Sequence, residues 1–449
     1  MTLTFARLLA RPMLVLPTVF AAVASTASAQ ARPPIRPLGA VHASTTDSLG
    51  TINNVRALPG GRLLINDATS RRVLLVDSTF KLISIVADST SSTANAYGPR
   101  SGSLIAYRGD STLFVDAASL SMLVIDPAGK IGRVMSVPRS QDAMMLAAGG
   151  LGTGAYYSNG YLVYRGMPGF RMQMGPSGAP TMPSVADTMA IVRVNLQSRA
   201  VDTVGFIKIP KTNTNMTRSD DGKISISIEV NPLPVVDDWV VTSSGDIALI
   251  RGKDYHVDWM SPDGTHRSSP KMAFDWKRLS DEQKVALIDS VKAIRDRAAA
   301  ANPGQGNAMA AAFGAALGTG GGAGGAAPQM VMRFESRGGP GGAPGGGAAP
   351  QIMAPQINYV SPSELPDYQP AFFATSAKAD DDGNIWIRTI ATKPTPGGAV
   401  YDVVNAKGEV VDRVQIPENR TIVGFGAGGV VILAVREGMT TKLERARAR

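Results

Sequence analysis

Two stretches of this chain repeat one pattern 49 residues apart. "RLLINDATSRRVLLVDSTFKL" covers residues 62–82, and "STLFVDAASLSMLVIDPAGKI" covers 111–131. Leu64, Asp67, Asp77 and Lys81 align with Leu113, Asp116, Asp126 and Lys130. The same step from Leu113 reaches Leu162 in "NGYLVYRG". Looser copies run over 243–265, 381–411 and 426–446. Each opens on a Gly/Asp/Asn-rich turn such as "PGG", "RGD", "SNG" or "DDGN", then gives a short apolar, β-branched run, a loop and a second run. Short apolar runs between such turns read as strands. A unit of this length cannot bury both faces of its sheet alone, so neighbouring units must cover one another.

Six copies with four strands each predict an all-β, six-bladed β-propeller, whose blades close on an axis and leave only short sheet edges. The segment "IRPLGAVHAS", residues 35–44, precedes the first copy and is expected to complete the last blade, so that both chain ends fasten the ring. The expected organisation is propeller over 35–275, an inserted helix over 276–302, a disordered Gly/Ala/Pro-rich loop over 303–350, and propeller again over 366–449. In the helix, Ser280 and Gln283 form a capping box, and Val285, Ile288, Val291 and Ile294 share one apolar face with Leu287 alongside. The Gly/Ala tract offers too little apolar surface to offset its chain entropy.

The segment "LPGGRLLINDATSRRVLLVDSTFKL" resembles an NHL-repeat blade, with its turn, its strand ending in an acid and its Arg-Val strand at Arg72–Val73. The resemblance implies the six-bladed propeller class. It covers binding modules, lactonase-like hydrolases and amidating lyases alike.

Residues 1–29 read as a signal peptide: Arg7 and Arg11, an apolar run, then Ala27-Ser28-Ala29 with cleavage after Ala29. The expectation is therefore a periplasmic or secreted protein with no membrane span, working as a monomer. No cysteine is present, which excludes disulfides, thiol catalysis and Cys-ligated zinc. The net charge of +9 is spread without a Lys/Arg block, which argues against a nucleic-acid partner.

The end of the second strand of each blade reaches the face that carries the longest loops. The residues placed there are Asp67, Asp116, Arg165, Arg251, Arg388 and Arg436. As a ring they are expected to hold an anionic small molecule, glycan or peptide, since guanidinium groups suit carboxylate and phosphate. Strand-end ion pairs are the competing structural role. Long insertions at 166–188, 211–234 and 276–365 are expected on that same face. Met167, Met172, Met174 and Met182 could offer soft ligands to Cu(I), or simply adaptable contact. No cofactor is expected from the residues. The lactonase-like alternative needs Ca²⁺, for which Asn54, Asp237, Asp238 and Glu364 are the candidates. Three histidines, His42, His256 and His266, are too few and too scattered for a ready zinc site. The expected function is that of a non-catalytic binding or scaffold protein; the lactonase-like hydrolase or lyase and a structural role beside an envelope protein are the alternatives.

Overall fold

The structure is a computed structural model that describes residues 32–448 apart from 91–95, 101, 149–155, 167–172, 175–179, 182–186, 212, 219–223, 302–355, 394–395 and 439. The signal-peptide reading, the Gly/Ala-rich tract over 303–350 and the methionines Met167, Met172 and Met182 lie outside the described residues.

Six four-stranded antiparallel sheets form the body. Their innermost strands are Ile52–Ala57, Ser103–Ala106, Tyr156–Ser158, Asp238–Val241, Phe372–Ala379 and Arg420–Gly426. The second strands are Leu63–Asp67, Thr112–Asp116, Tyr161–Arg165, Ile247–Arg251, Ile385–Thr389 and Val430–Glu437. Leu63–Asp67 and Thr112–Asp116 are buried along their whole length, because both faces of a middle strand meet a neighbouring blade. Outer strands such as His266–Ser268 are exposed throughout.

Six apolar clusters fill the six blade interfaces. The last joins Leu63 and Ile65 of blade 1 to Ile432 and Leu443 of blade 6, so the circle is closed. The chain is a six-bladed β-propeller. Each fully buried Leu or Ile contributes about 2 kcal/mol by removal from water, so the interfaces hold the wheel together.

The N-terminal segment divides its work between two blades. Val41–Ser44 pairs antiparallel with Thr440–Arg447 and is the fourth strand of blade 6. Ile35–Pro37 runs parallel to Val410–Gln415 and adds a fifth strand to blade 5. Ahead of it, Arg32 donates to Asp275 and to the fully buried Asp402, and lies over the Phe274 ring.

A helix of five residues, α1 (Ala143–Ala147), follows blade 2 and packs on the interface of blades 2 and 3. The insertions after blades 3 and 4 fold together. A hairpin of Asn213–Arg218 and Ile224–Val230 receives Gln356–Tyr359 as a third, parallel strand. Residues 356–359, which the sequence reading assigned to neither the loop nor the propeller, form a strand because this distant pairing supplies a partner.

Helix α2 (Asp281–Ala301) carries the expected capping box: Ser280 N donates to Gln283 Oε1, and Gln283 N to Ser280 Oγ. Its buried face differs from the expected stripe. Ile288 is buried and Leu287 partly so, yet Val285 and Ile294 are exposed. Lys284 is 4% exposed, with Nζ donating to Asp367 at 2.8 Å. The helix packs in a small cluster with Leu233, Val360 and Leu365, against which Phe373 of blade 5 and Ile390 also pack, and that narrow contact accepts only part of an apolar stripe.

Candidate functional site

Blade topology puts the start of each innermost strand and the end of each second strand on one face of the wheel. The six ring residues do share that face. Their side chains do not share a direction, because successive residues of a strand point to opposite faces of the sheet. In blades 1 and 2, Asp67 and Asp116 point to the preceding blade. Asp67 accepts from Gly50 N, Ser70 N and Arg72 Nε, and Asp116 from Ala118 N and Ser119 Oγ. Gly50 and Gly98 let the chain pass close over these carboxylates: a Cβ on either would sit 2.5 Å from the aspartate oxygens. Both aspartates secure turns.

Arg251 is on the same face of its own sheet. Its Nε donates to Asp258 at 2.7 Å, and its Nη1 to Asp237 at 2.9 Å and to the Phe206 carbonyl at 2.8 Å. Its Nε and Nη1 are thus engaged within the protein. Arg251→Ala is expected to cost about 1–2 kcal/mol, since it strands two half-buried carboxylates, and chemical denaturation measures it.

Arg388 and Arg436 point the other way, toward the following blade. Arg388 approaches Tyr401 in the interface of blades 5 and 6, and its charge opposes the burial that raises that phenol. Arg436 is exposed and donates to the Gly438 carbonyl. The ring of six around one mouth is thus replaced by two sets of three. The alignment that placed Leu162 with Leu113 accounts for this: both lie in the interface of blades 2 and 3, so they sit on opposite faces of their own sheets.

Arg165 shares the phase of Arg388 and is partly buried. Burial lowers the pKa of its guanidinium, while Asp238 opposes the shift. Lys378, on the innermost strand of blade 5, is in the same position: burial lowers it and Asp238 opposes. Both side chains keep partial contact with solvent. Among the described residues neither has a hydrogen-bond or ion-pair partner within bonding distance.

Asp238, whose charge acts on both, heads the innermost strand of blade 4 and is 2% exposed. Its Oδ2 accepts from Ala377 N at 2.8 Å and its Oδ1 from Trp239 N at 2.9 Å. The Ala377 amide reaches it because the innermost strand of blade 5 bulges. Phe372 pairs with Thr389, and the next pair is Ala377 with Ile387, with Thr375 at φ 63° in between. Bulges re-aim a strand in this way and are frequent beside functional sites. Burial pushes the Asp238 carboxyl up to about 6, against the pull of the backbone amides and of Arg165.

A folded pKa above the unfolded value means that the stabilising contribution is complete below about pH 4 and is lost as pH rises through about 6. Asp238→Asn is therefore expected to be more stable than wild type by about 3 kcal/mol at neutral pH. The gap should close in acid, as denaturant titrations across pH would show.

A second polar group lies on the inner strands. Arg56 of blade 1 acts electrostatically on Tyr156 of blade 3 and on Asp381, in the first turn of blade 5; burial raises both acids and Arg56 opposes. Sequence reasoning missed Lys378, Arg56, Tyr156 and Asp381. The available signal was a lone charge inside an otherwise apolar innermost strand, as in "FFATSAKAD".

The calcium candidates do not converge. Asn54 bonds Leu104 and Ser103 of blade 2, Asp237 holds Arg251 and the Gly252 amide, and Glu364 closes a capping box with Ser361. Among the described residues no three His, Asp or Glu side chains gather as a metal site would require. His256 pairs with Asp254 and Asp258 between outer strands.

No protein-family model and no curated protein matches the chain. Solved structures with a similar arrangement include a gluconolactonase from Xanthomonas campestris, 11% identical over 92% of this chain and 99% of that one, with a TM-score of 0.34. A calcium-binding protein, regucalcin, from Agrobacterium tumefaciens is 10% identical over 92% and 98%, with a TM-score of 0.38. A virginiamycin B lyase from Staphylococcus aureus is 11% identical over 86% and 80%, with a TM-score of 0.29. These likenesses concern strand arrangement, and nothing below rests on them.

Proposed function

We propose that the protein is an exported, periplasmic or secreted propeller that binds an anionic group of a small molecule, glycan or peptide inside the wheel, between blades 3, 4 and 5. One observation carries the reading. Burial lowers two cations, Arg165 and Lys378, that both feel the charge of one carboxylate, Asp238, and that carboxylate already accepts from backbone amides. Desolvated charge without a full set of partners is costly, and a ligand anion would supply what is missing. The guanidinium fork and the ammonium point charge would grip it together. Arg165 keeps the role the sequence reading gave it, while Arg251, Arg388, Arg436, Asp67 and Asp116 are assigned to the frame of the wheel. Among the described residues no helix is long and apolar enough to cross a membrane.

Thermal unfolding with added formate, at fixed ionic strength, tests the reading. A bound anion raises the midpoint by mass action. Wild type and Arg251→Ala are expected to shift alike and Arg165→Gln far less. Equal shifts in all three would refute the site.

A second reading has one observation in its favour. Burial raises the Asp238 carboxyl to about 6 and lowers Lys378, and perturbed acids and bases of this kind are what a hydrolase or lyase would use. Turnover of lactone or ester substrates by wild type, lost in Asp238→Asn, would support it.

A further inference from the structure

We propose that the outer strand of blade 1, Leu82–Ala87, pairs with the same strand of a second copy of this chain, giving a two-fold symmetric dimer at high protein concentration. The inference is independent of the anion-binding reading and departs from the monomer expected of the sequence.

Leu82–Ala87 is the outermost strand of its sheet, and among the described residues no strand pairs with its outer side. An outer strand presents unpaired N–H and C=O groups, which proteins guard with charge, with shortness or with a cover. The other blades are guarded. The outer strands of blades 2, 3 and 4 carry Arg133, Asp202 with Lys208, and Arg267. That of blade 5, Val410–Gln415, is covered by Ile35–Pro37, and that of blade 6, Val41–Ser44, has only four residues. Leu82–Ala87 has six residues, with no charge and no proline among them. It leaves Leu82, Ile83 and Ile85 exposed by 52%, 51% and 53%.

Blade 5 shows that such a strand accepts a partner. Val410–Gln415 has an irregularity at Val411, skipped between the pairs Val404–Val410 and Val403–Asp412. Leu82–Ala87 has the same one at Ile83, skipped between Val76–Leu82 and Leu75–Ser84, and another at Val86. Bulges of this kind often end pairing at an edge. The strand of blade 5 nevertheless takes Ile35–Pro37 on its outer side, at Arg413–Gln415. The corresponding positions in blade 1 are Ile85–Ala87.

The ends of the strand identify the occupant. Lys81 precedes it and is exposed, and Asp88 follows it and is partly exposed. A two-fold axis through the centre of the strand sets the two copies antiparallel. Lys81 of each copy then lies at the end where Asp88 of the other stands, twice in one dimer. A parallel arrangement would set Lys81 beside Lys81. With Ser84 at the axis, Ile83 of each copy stands across from Ile85 of the other, as cross-strand aliphatic pairs. The opposite face of the strand stays with the wheel: a Cβ on Gly129 of blade 2 would sit 3.2 Å from Val86 and 3.4 Å from Ser84. One strand from each copy makes an interface at the small end of stable ones, so a dissociation constant of about 10 µM is expected.

Sedimentation velocity of the purified protein over a concentration series is the experiment. Wild type is expected to pass reversibly from monomer to dimer. Ile83→Lys combined with Ile85→Lys, both at exposed positions, is expected to abolish the dimer and keep wild-type circular dichroism. Lys81→Glu and Asp88→Lys should each weaken the dimer by about tenfold, since each sets like charges together twice. The two combined should restore it. A wild type that stays monomeric at every concentration would overturn the proposal. So would a dimer unaffected by Ile83→Lys with Ile85→Lys, or no recovery in the combined charge reversal. Should the isoleucine variant fail to fold, the charge reversals at Lys81 and Asp88 decide alone.

Discussion

Replacing Arg165 and Lys378 together by methionine is expected to weaken binding of small anions by about a hundredfold, at about tenfold for each charge removed. Methionine keeps length and apolar contact along each stem while deleting the charge. Exposed arginines bind anions weakly and are screened by salt. Burial lowers the pKa of both of these cations, so their loss should be felt even at moderate ionic strength. The double variant removes the counter-charges of Asp238, whose carboxyl is then expected to remain protonated at neutral pH. Near-wild-type circular dichroism would show that the blades persist. Titration calorimetry then reads the affinity.

The largest effect on stability is expected at a site far from the axis. Asp402, on the third strand of blade 5, is fully buried. It accepts from Arg32 at 3.2 Å, from Arg413 at 3.3 Å and from the Tyr255 hydroxyl at 3.0 Å. Burial raises its pKa, while Arg32 and Arg413 hold it down. Asp402→Ala leaves two cations and a buried phenol without their shared acceptor, and breaking a buried network of this kind costs about 3 kcal/mol or more. The consequence extends along the chain. Arg32 anchors the start of the N-terminal arm, whose next residues are the fifth strand of blade 5 and the fourth strand of blade 6. Loss of the anchor is expected to lower the unfolding midpoint by several degrees and to admit proteases to residues 35–44. Arg32→Ala should cost less, because Arg413 and Tyr255 still satisfy Asp402. Equal losses in the two variants would place the anchor elsewhere.

The wheel was legible because its signals are local. A turn, a run of β-branched residues and another turn specify a strand pair wherever they occur, and six such units leave few ways to bury their faces. The N-terminal strand was legible by elimination, as the last blade lacked one. The ring of second-strand residues was only half legible. Sequence spacing gives the height of a residue along its strand, but a shift of one position reverses its face. Asp67, Asp116 and Arg251 therefore fell on one side, and Arg165, Arg388 and Arg436 on the other. The site in the wheel was harder still. Asp238 accepts from the Ala377 amide through a bulge that nothing in "FFATSAKAD" announces, and Arg165, whose charge it feels, comes from a different blade. Equally, no local pattern shows that Ile224–Val230 would find Gln356–Tyr359.

The axial anion site is tested most directly by anomalous diffraction from a crystal soaked in bromide, a monoanion visible without any bound organic group. A peak in contact with both the Arg165 guanidinium and Lys378 Nζ, beside Asp238, is the expected result. Bromide at surface cations such as Arg436, with none between blades 3, 4 and 5, would contradict it.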